Sequence, residues 1–98
     1  MVYIRQLLIR CKDKSDIELL HMEVQDLAQI ECIQKAVIME CINQGKYDYV
    51  EDVYDFSAMF YFNCYSDIEK YCMSPVHIKF VKNFLQKIDV AIFDYCIR

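Results

Sequence analysis

The chain has 98 residues, 56% of them hydrophobic, with a formal net charge of −4 and a pI near 5.0. That length bounds the protein to one domain with a modest core. An acidic balance without clustered Lys and Arg excludes broad phosphate-backbone binding, so nucleic acid is not an expected partner.

One glycine and one proline among 98 residues favour helices joined by short turns. Residues 2–12 are apolar at Tyr3, Ile4, Leu7, Leu8 and Cys11, which reads as a first helix. Arg5 and Arg10 interrupt the run, so it lacks the uncharged core of a signal peptide. After a corner at residues 12–15, Ser15 or Asp16 is placed to cap a second helix that buries Ile17, Leu20, Val24 and Leu27. Residues 30–54 read as two short helices folded back on each other across Asn43, Gln44 and Gly45. Ala36, Val37, Ile38, Cys41 and Ile42 form one stripe of that pair, and Tyr47, Val50, Val53 and Tyr54 the other. An aromatic run then leads to a fifth helix, capped at Ser66 or Asp67 and ending at Met73. Ser74 and Pro75 make the next corner, since proline suits the first turn of a helix and not its interior. A sixth helix over residues 77–88 would turn Ile78, Val81, Phe84, Leu85 and Ile88 inward and Lys79, Lys82 and Lys87 to water. The apolar tail from residue 89 looks like the opening of a unit left unfinished. No stretch reaches the 18 or so apolar residues of a membrane span, so no membrane partner is expected.

The pairs Ile17 and Leu20, Tyr47 and Val50, and Ile78 and Val81 recur at intervals of 30 and 31 residues. Cys11, Cys41 and Cys72 keep the same phase, and Cys32, Cys64 and Cys96 form a second column 32 residues apart. These spacings divide the single domain into repeats at about 2–30, 31–62 and 63–93, with an incomplete fourth at 94–98. The expected fold is all-α, with three antiparallel helix pairs stacked as a short α-solenoid. The cysteines read as reduced thiols packed between helices, in a cytoplasmic protein.

The segments GKYDYVEDV and VHIKFVKNFLQKID resemble the second helix of an ankyrin repeat, and AVIMECINQ resembles the first. There is no Thr-Pro-Leu-His motif, and residues 27–32 leave little room for a β-hairpin finger. Such degenerate units resemble those of the multigene-family proteins of African swine fever virus, ankyrin-like arrays associated with host range and restraint of innate immunity. The resemblance implies a non-enzymatic viral protein in the host cytoplasm that binds a host protein. It implies no catalytic residue, no cofactor and no metal.

The residues agree in carrying little chemistry. Cys64, Cys72 and His77 share a segment, but their gaps are wider than the close pairs of structural zinc sites. His21 and His77 read as surface or capping side chains, and Glu51, Asp52 and Asp55 as a solvated face. The candidate protein-binding residues are Tyr54, Phe56, Phe60, Tyr61, Phe62 and Tyr65, because aromatics bury large areas with few rotatable bonds. The competing reading places the same rings in the core. A second hypothesis is a compact helical bundle that regulates as a homodimer through this aromatic segment.

Overall fold

Val2–Cys11 folds as a ten-residue strand, β1, and not as the expected helix. In the computed structural model, which describes residues 1–42 and 54–98, the elements that follow are α1 (Ile17–Leu27), β2 (Lys35–Glu40), β3 (Phe56–Phe62), α2 (Tyr65–Met73), α3 (Pro75–Phe84) and β4 (Ile88–Ile97). Short 3-10 turns at Lys14–Asp16 and Leu85–Lys87 lead into α1 and β4.

Among the described residues the four strands make one antiparallel sheet in the order β2-β3-β1-β4. β1 is central and pairs along its whole length with β4, from Val2 opposite Ile97 to Cys11 opposite Ile88. On its other side Tyr3 to Ile9 pair with Phe62 to Phe56 of β3. β2 and β3 follow each other in the chain and pair directly, whereas β1 is parted from β2 by β3 and β3 from β4 by β1, in a β-α-β-β-α-α-β arrangement.

Side chains alternate across a strand, so each strand offers one row to the helices and one away from them. Leu7, Ile9 and Cys11 of β1 and Phe56, Ala58, Phe60 and Phe62 of β3 point toward the helices. There they meet Leu20, Val24 and Leu27 of α1, Ile68 and Tyr71 of α2, and Phe80 of α3 in one core. Burial of each large apolar side chain is worth about 1.5–3 kcal/mol, which makes this the main source of stability.

The all-α solenoid is thus corrected to an α+β fold. Residues 2–27 form a strand and a helix, whereas 66–89 form two helices and the start of a strand, so the stacked helix pairs are absent. The reason is physical: β1, β3 and β4 carry apolar groups on both faces, and that hides the period of two that marks a half-buried strand. The second, fifth and sixth helices do exist as α1, α2 and α3. The inward face of the sixth is rotated, however: Phe80 is buried, while Ile78 is 56% exposed and Val81 and Leu85 are also exposed. Asp16 stands at the N-cap position of α1 but makes no side-chain capping bond; the carboxylate of Asp13 caps the 3-10 turn before it, accepting from the Ser15 backbone N–H at 2.9 Å. The expected corner at Asn43, Gln44 and Gly45, the helix beginning at Tyr47, and the acids Glu51 and Asp52 lie outside the described residues.

Asp55 ties the lower end of the sheet together. Its backbone N–H donates to the Ile9 carbonyl at 2.8 Å, and its Oδ2 accepts from the Cys11 N–H at 2.7 Å and from Lys14 Nζ at 2.9 Å.

Candidate functional site

The sheet face turned away from the helices carries a second apolar layer. The register sets its rows. Lys35, Tyr61, Ile4 and Tyr95 form one, Val37, Met59, Gln6 and Phe93 the next, and Met39, Ser57, Leu8 and Ala91 the third. No described element covers this face. Tyr95 is 52% exposed and Phe93, Ile97 and Met39 are also exposed, yet Ile4 between the flanking tyrosines is only 5% exposed. The ring planes of Phe93 and Tyr95 stack with centroids 6.3 Å apart, and the Lys35 ammonium sits 5.5 Å from the Tyr61 ring centroid. The charges stand at the margins, Lys35 at one end and the Arg10–Asp89 ion pair at the other. The guanidinium of Arg10 holds the Asp89 carboxyl below the usual carboxylate range. Toward β2 the face deepens into a hollow of about 480 Å³ bounded by Gln6, Leu8, Met39, Tyr54 and Ser57. Gln6 Nε2 approaches Ser57 Oγ at 3.5 Å, the limit of a hydrogen bond.

A polar cluster lies behind the sheet, on the helix side. Arg5 makes a two-pronged ion pair with Asp94 of β4, Nε to Oδ1 at 2.8 Å and Nη2 to Oδ2 at 2.9 Å, while its Nη1 donates to Cys72 Sγ at 3.0 Å. The pairing holds the Asp94 carboxyl below its ordinary range and raises the Arg5 guanidinium further. Tyr71, beside Cys72 on α2, is 1% exposed and packs against Phe60 and Phe62. Burial pushes its phenol upward, so it stays protonated. The His77 ring lies 4.6 Å from the Tyr71 ring, centroid to centroid, and its Nδ1 is 3.0 Å from the Cys72 carbonyl. A carbonyl can only accept, so Nδ1 carries the proton and Nε2 is left with the lone pair. Burial lowers the imidazole's pKa, partly opposed by the bond to the Cys72 carbonyl, and favours the neutral ring.

The six aromatic candidates divide between these places. Phe56, Phe60 and Phe62 lie in the core, Tyr61 lies on the open face, Tyr54 borders the hollow beside it, and Tyr65 is exposed at the start of α2 with its ring edge-on to Tyr3. They do not make one surface. The sequence reading missed Ile4, Gln6, Phe93 and Tyr95 as face residues. Their signal was alternation within β1 and β4, obscured by the apolar groups of the opposite row. All six cysteines are free thiols, and among the described residues no group of three or more His, Cys, Asp or Glu is placed to hold a metal ion. Among the described residues no helix is long and apolar enough to cross a membrane.

No protein-family model matches the sequence, and no curated protein does. Solved structures do match. A dabb-family protein with a ferredoxin-like fold from Mesorhizobium loti is 16% identical, with a TM-score of 0.78 over 99% of this chain and 97% of that one. The hydroxynitrile lyase of Passiflora edulis is 16% identical, with a TM-score of 0.81 over 99% of this chain and 94% of that one. A ferredoxin-like protein of unknown function from Thermobifida fusca is 15% identical, with a TM-score of 0.77 over 99% and 92%. It is described as dimeric, as are similar proteins from Bacteroides fragilis and a Jannaschia species. These neighbours overturn the resemblance to ankyrin repeats and to the African swine fever virus family. With it go the host-interaction role drawn from that resemblance and the helical-bundle regulator. At such identities the likeness establishes the architecture: the chain is an α+β protein with a ferredoxin-like fold.

Proposed function

We propose that this protein works as a homodimer in which two copies close their open sheet faces on each other. The observation that carries this reading is the apolar layer centred on Ile4, Met59, Phe93 and Tyr95, which no described element covers. Contiguous apolar surface of this kind seldom stays in contact with water, and a charged margin around an apolar centre is the anatomy of an interface. Four strands about 4.8 Å apart and roughly eight residues long give a face of about 500 Å² in projection, and its corrugated accessible area is larger. That is the scale of the roughly 800 Å² per partner that stable dimers bury. The dimeric state described for several similar structures supports the same reading. Of the six aromatic candidates, Tyr61 would belong to this interface directly and Tyr54 to its edge. The free thiols fit a reducing compartment such as the cytoplasm. Sedimentation of wild type against Tyr61→Asp tests the proposal. A wild-type dimer that the substitution splits without loss of secondary structure is expected, and a wild-type monomer would refute it.

A second reading has its own observation. His77 offers a neutral Nε2 beside a protonated Tyr71, with Arg5 and Asp94 fixed nearby, and such a group can take a proton from a small organic substrate. That one matched structure is a hydroxynitrile lyase makes a small-molecule reaction worth testing here. A panel of cyanohydrins and related small carbonyl compounds, assayed with wild type and His77→Gln, checks this reading. Turnover that the substitution abolishes is expected, and turnover equal in the two proteins would remove His77 from any such role.

A further inference from the structure

The geometry points to Gln6 as the residue that fixes how two copies of the sheet align on each other. This inference rests on the dimer proposed above and concerns what selects one alignment of it. Gln6 stands in the middle row of the open face, between Met59 of β3 and Phe93 of β4. The row above it contains Ile4 and the row below it Leu8, so its direct neighbours are apolar, with Ser57 and the rings of Tyr61 and Tyr95 on the diagonals.

A dimer with two-fold symmetry uses one self-complementary patch, and the axis runs through the centre of that patch. When two sheets lie face to face, the axis lies in the plane between them. The central row of one copy then meets the central row of the other whether the axis follows the strands or crosses them. Packed sheets lie about 10 Å apart, a gap that two glutamine side chains, or a glutamine and a serine, span together.

The amide of Gln6 offers two donor hydrogens and an oxygen that accepts twice, yet among the described residues it meets Ser57 Oγ at 3.5 Å and no closer partner. Closing the interface removes its water. In the symmetric alignment the amide finds Gln6 or Ser57 of the other copy. Slipping one sheet by two residues along a strand sets it instead in the row of Ile4, Tyr61 and Tyr95 or the row of Leu8 and Ser57, where a hydroxyl answers only part of the hydrogen bonding that a second amide supplies. The apolar side chains around it tolerate several alignments, because hydrophobic contact has no direction. A single buried amide discriminates among them, the role an interior asparagine plays in coiled coils.

Sedimentation of the full chain as wild type, Gln6→Glu and Gln6→Leu tests this, with circular dichroism confirming secondary structure in each sample. Met59 and Phe93 beside position 6 do not titrate. Among the described residues the ionisable groups of the face are Lys35, Tyr61, Tyr95 and the Arg10–Asp89 pair, with Glu40, Cys41 and Tyr54 at the hollow beside Gln6, and these are common to all three proteins. Two glutamates meeting near the axis repel when ionised, so Gln6→Glu is expected to dimerise at least about 100-fold more weakly at pH 8 and to recover most of that at about pH 4.5. Gln6→Leu is expected to remain dimeric. Mixed-isotope NMR should then detect contacts between copies at Val37 and Phe93 in more than one alignment, where wild type gives one. A dimeric wild type whose Gln6→Glu form associates equally well at both pH values overturns the inference alone, as does a single wild-type alignment in Gln6→Leu. A monomeric wild type overturns the dimer itself.

Discussion

Arg5 and Asp94 face each other across the β1–β4 pair with both prongs of the guanidinium engaged, Nε 2.8 Å from Oδ1 and Nη2 2.9 Å from Oδ2. The pair joins the central strand to the strand at the edge, and the same arginine reaches Cys72 on α2. One side chain thus fastens the edge strand and the helix layer to the middle of the sheet.

Asp94→Ala should cost about 1 kcal/mol at neutral pH, a value kept small because the aspartate is a third exposed. The folded Asp94 pKa is lowered, chiefly by the bond from Arg5. Its contribution is therefore present above the ordinary carboxylate value of about 3.9 and is lost as pH falls through the lowered one. Urea denaturation of wild type and Asp94→Ala at pH 7 and pH 3 should show the difference between them shrinking in acid.

His77 also loses its contribution in acid, but the cause is burial and not a partner's charge. Burial lowers its folded pKa, so below the ordinary value of about 6.5 the unfolded chain takes up the proton first. Stability should fall as pH drops from that value toward the folded one, and His77→Gln should remove this slope. NMR titration of the imidazole carbons of His77 should place its midpoint below the ordinary value.

Adjacent aromatics in β3 should behave differently on substitution. Phe60 is fully buried against Tyr71, so Phe60→Ala should cost about 3–5 kcal/mol. Tyr61, one residue on, faces the other way, and its loss should weaken association more than folding of the protomer. Thermal melts at two protein concentrations separate the effects, because only loss of association depends on concentration.

Asp55→Ala should cost about 1–3 kcal/mol, mostly because the Cys11 N–H loses its acceptor next to a buried side chain. Lys14→Ala should cost less, since the lysine is largely exposed and the backbone donor to Asp55 remains. Hydrogen exchange at the Cys11 amide should quicken in the first variant and not in the second.

What could be read from the sequence depended on how many sides of each element meet water. α1 was legible because Leu20, Val24 and Leu27 form one stripe against polar neighbours. The corner at Ser74 and Pro75 was legible because proline dictates it. β1, β3 and β4 were not, since helices cover one face and the other is also apolar. Tyr3, Ile4, Leu7, Leu8 and Cys11 then mimic helical spacing by chance. The Phe56, Ala58, Phe60, Phe62 alternation was the clearest available strand signal, and reading it as an aromatic run concealed it. The cysteine columns joined unlike places: Cys11 is in a strand, Cys41 in a link and Cys72 in a helix. His77 was read as a surface or capping residue, and its Nδ1 does meet the Cys72 carbonyl at the end of α2; its packing on Tyr71 was not legible, because only the bend at Ser74 brings the ring back.

The central position of β1 has a consequence for biosynthesis. Its two neighbours are β3 and β4, so this strand leaves the ribosome well before either partner exists. Its amides and both of its greasy rows must wait, unpaired, for later segments to emerge. Nascent copies on one messenger would be exposed to mispairing with each other during that interval.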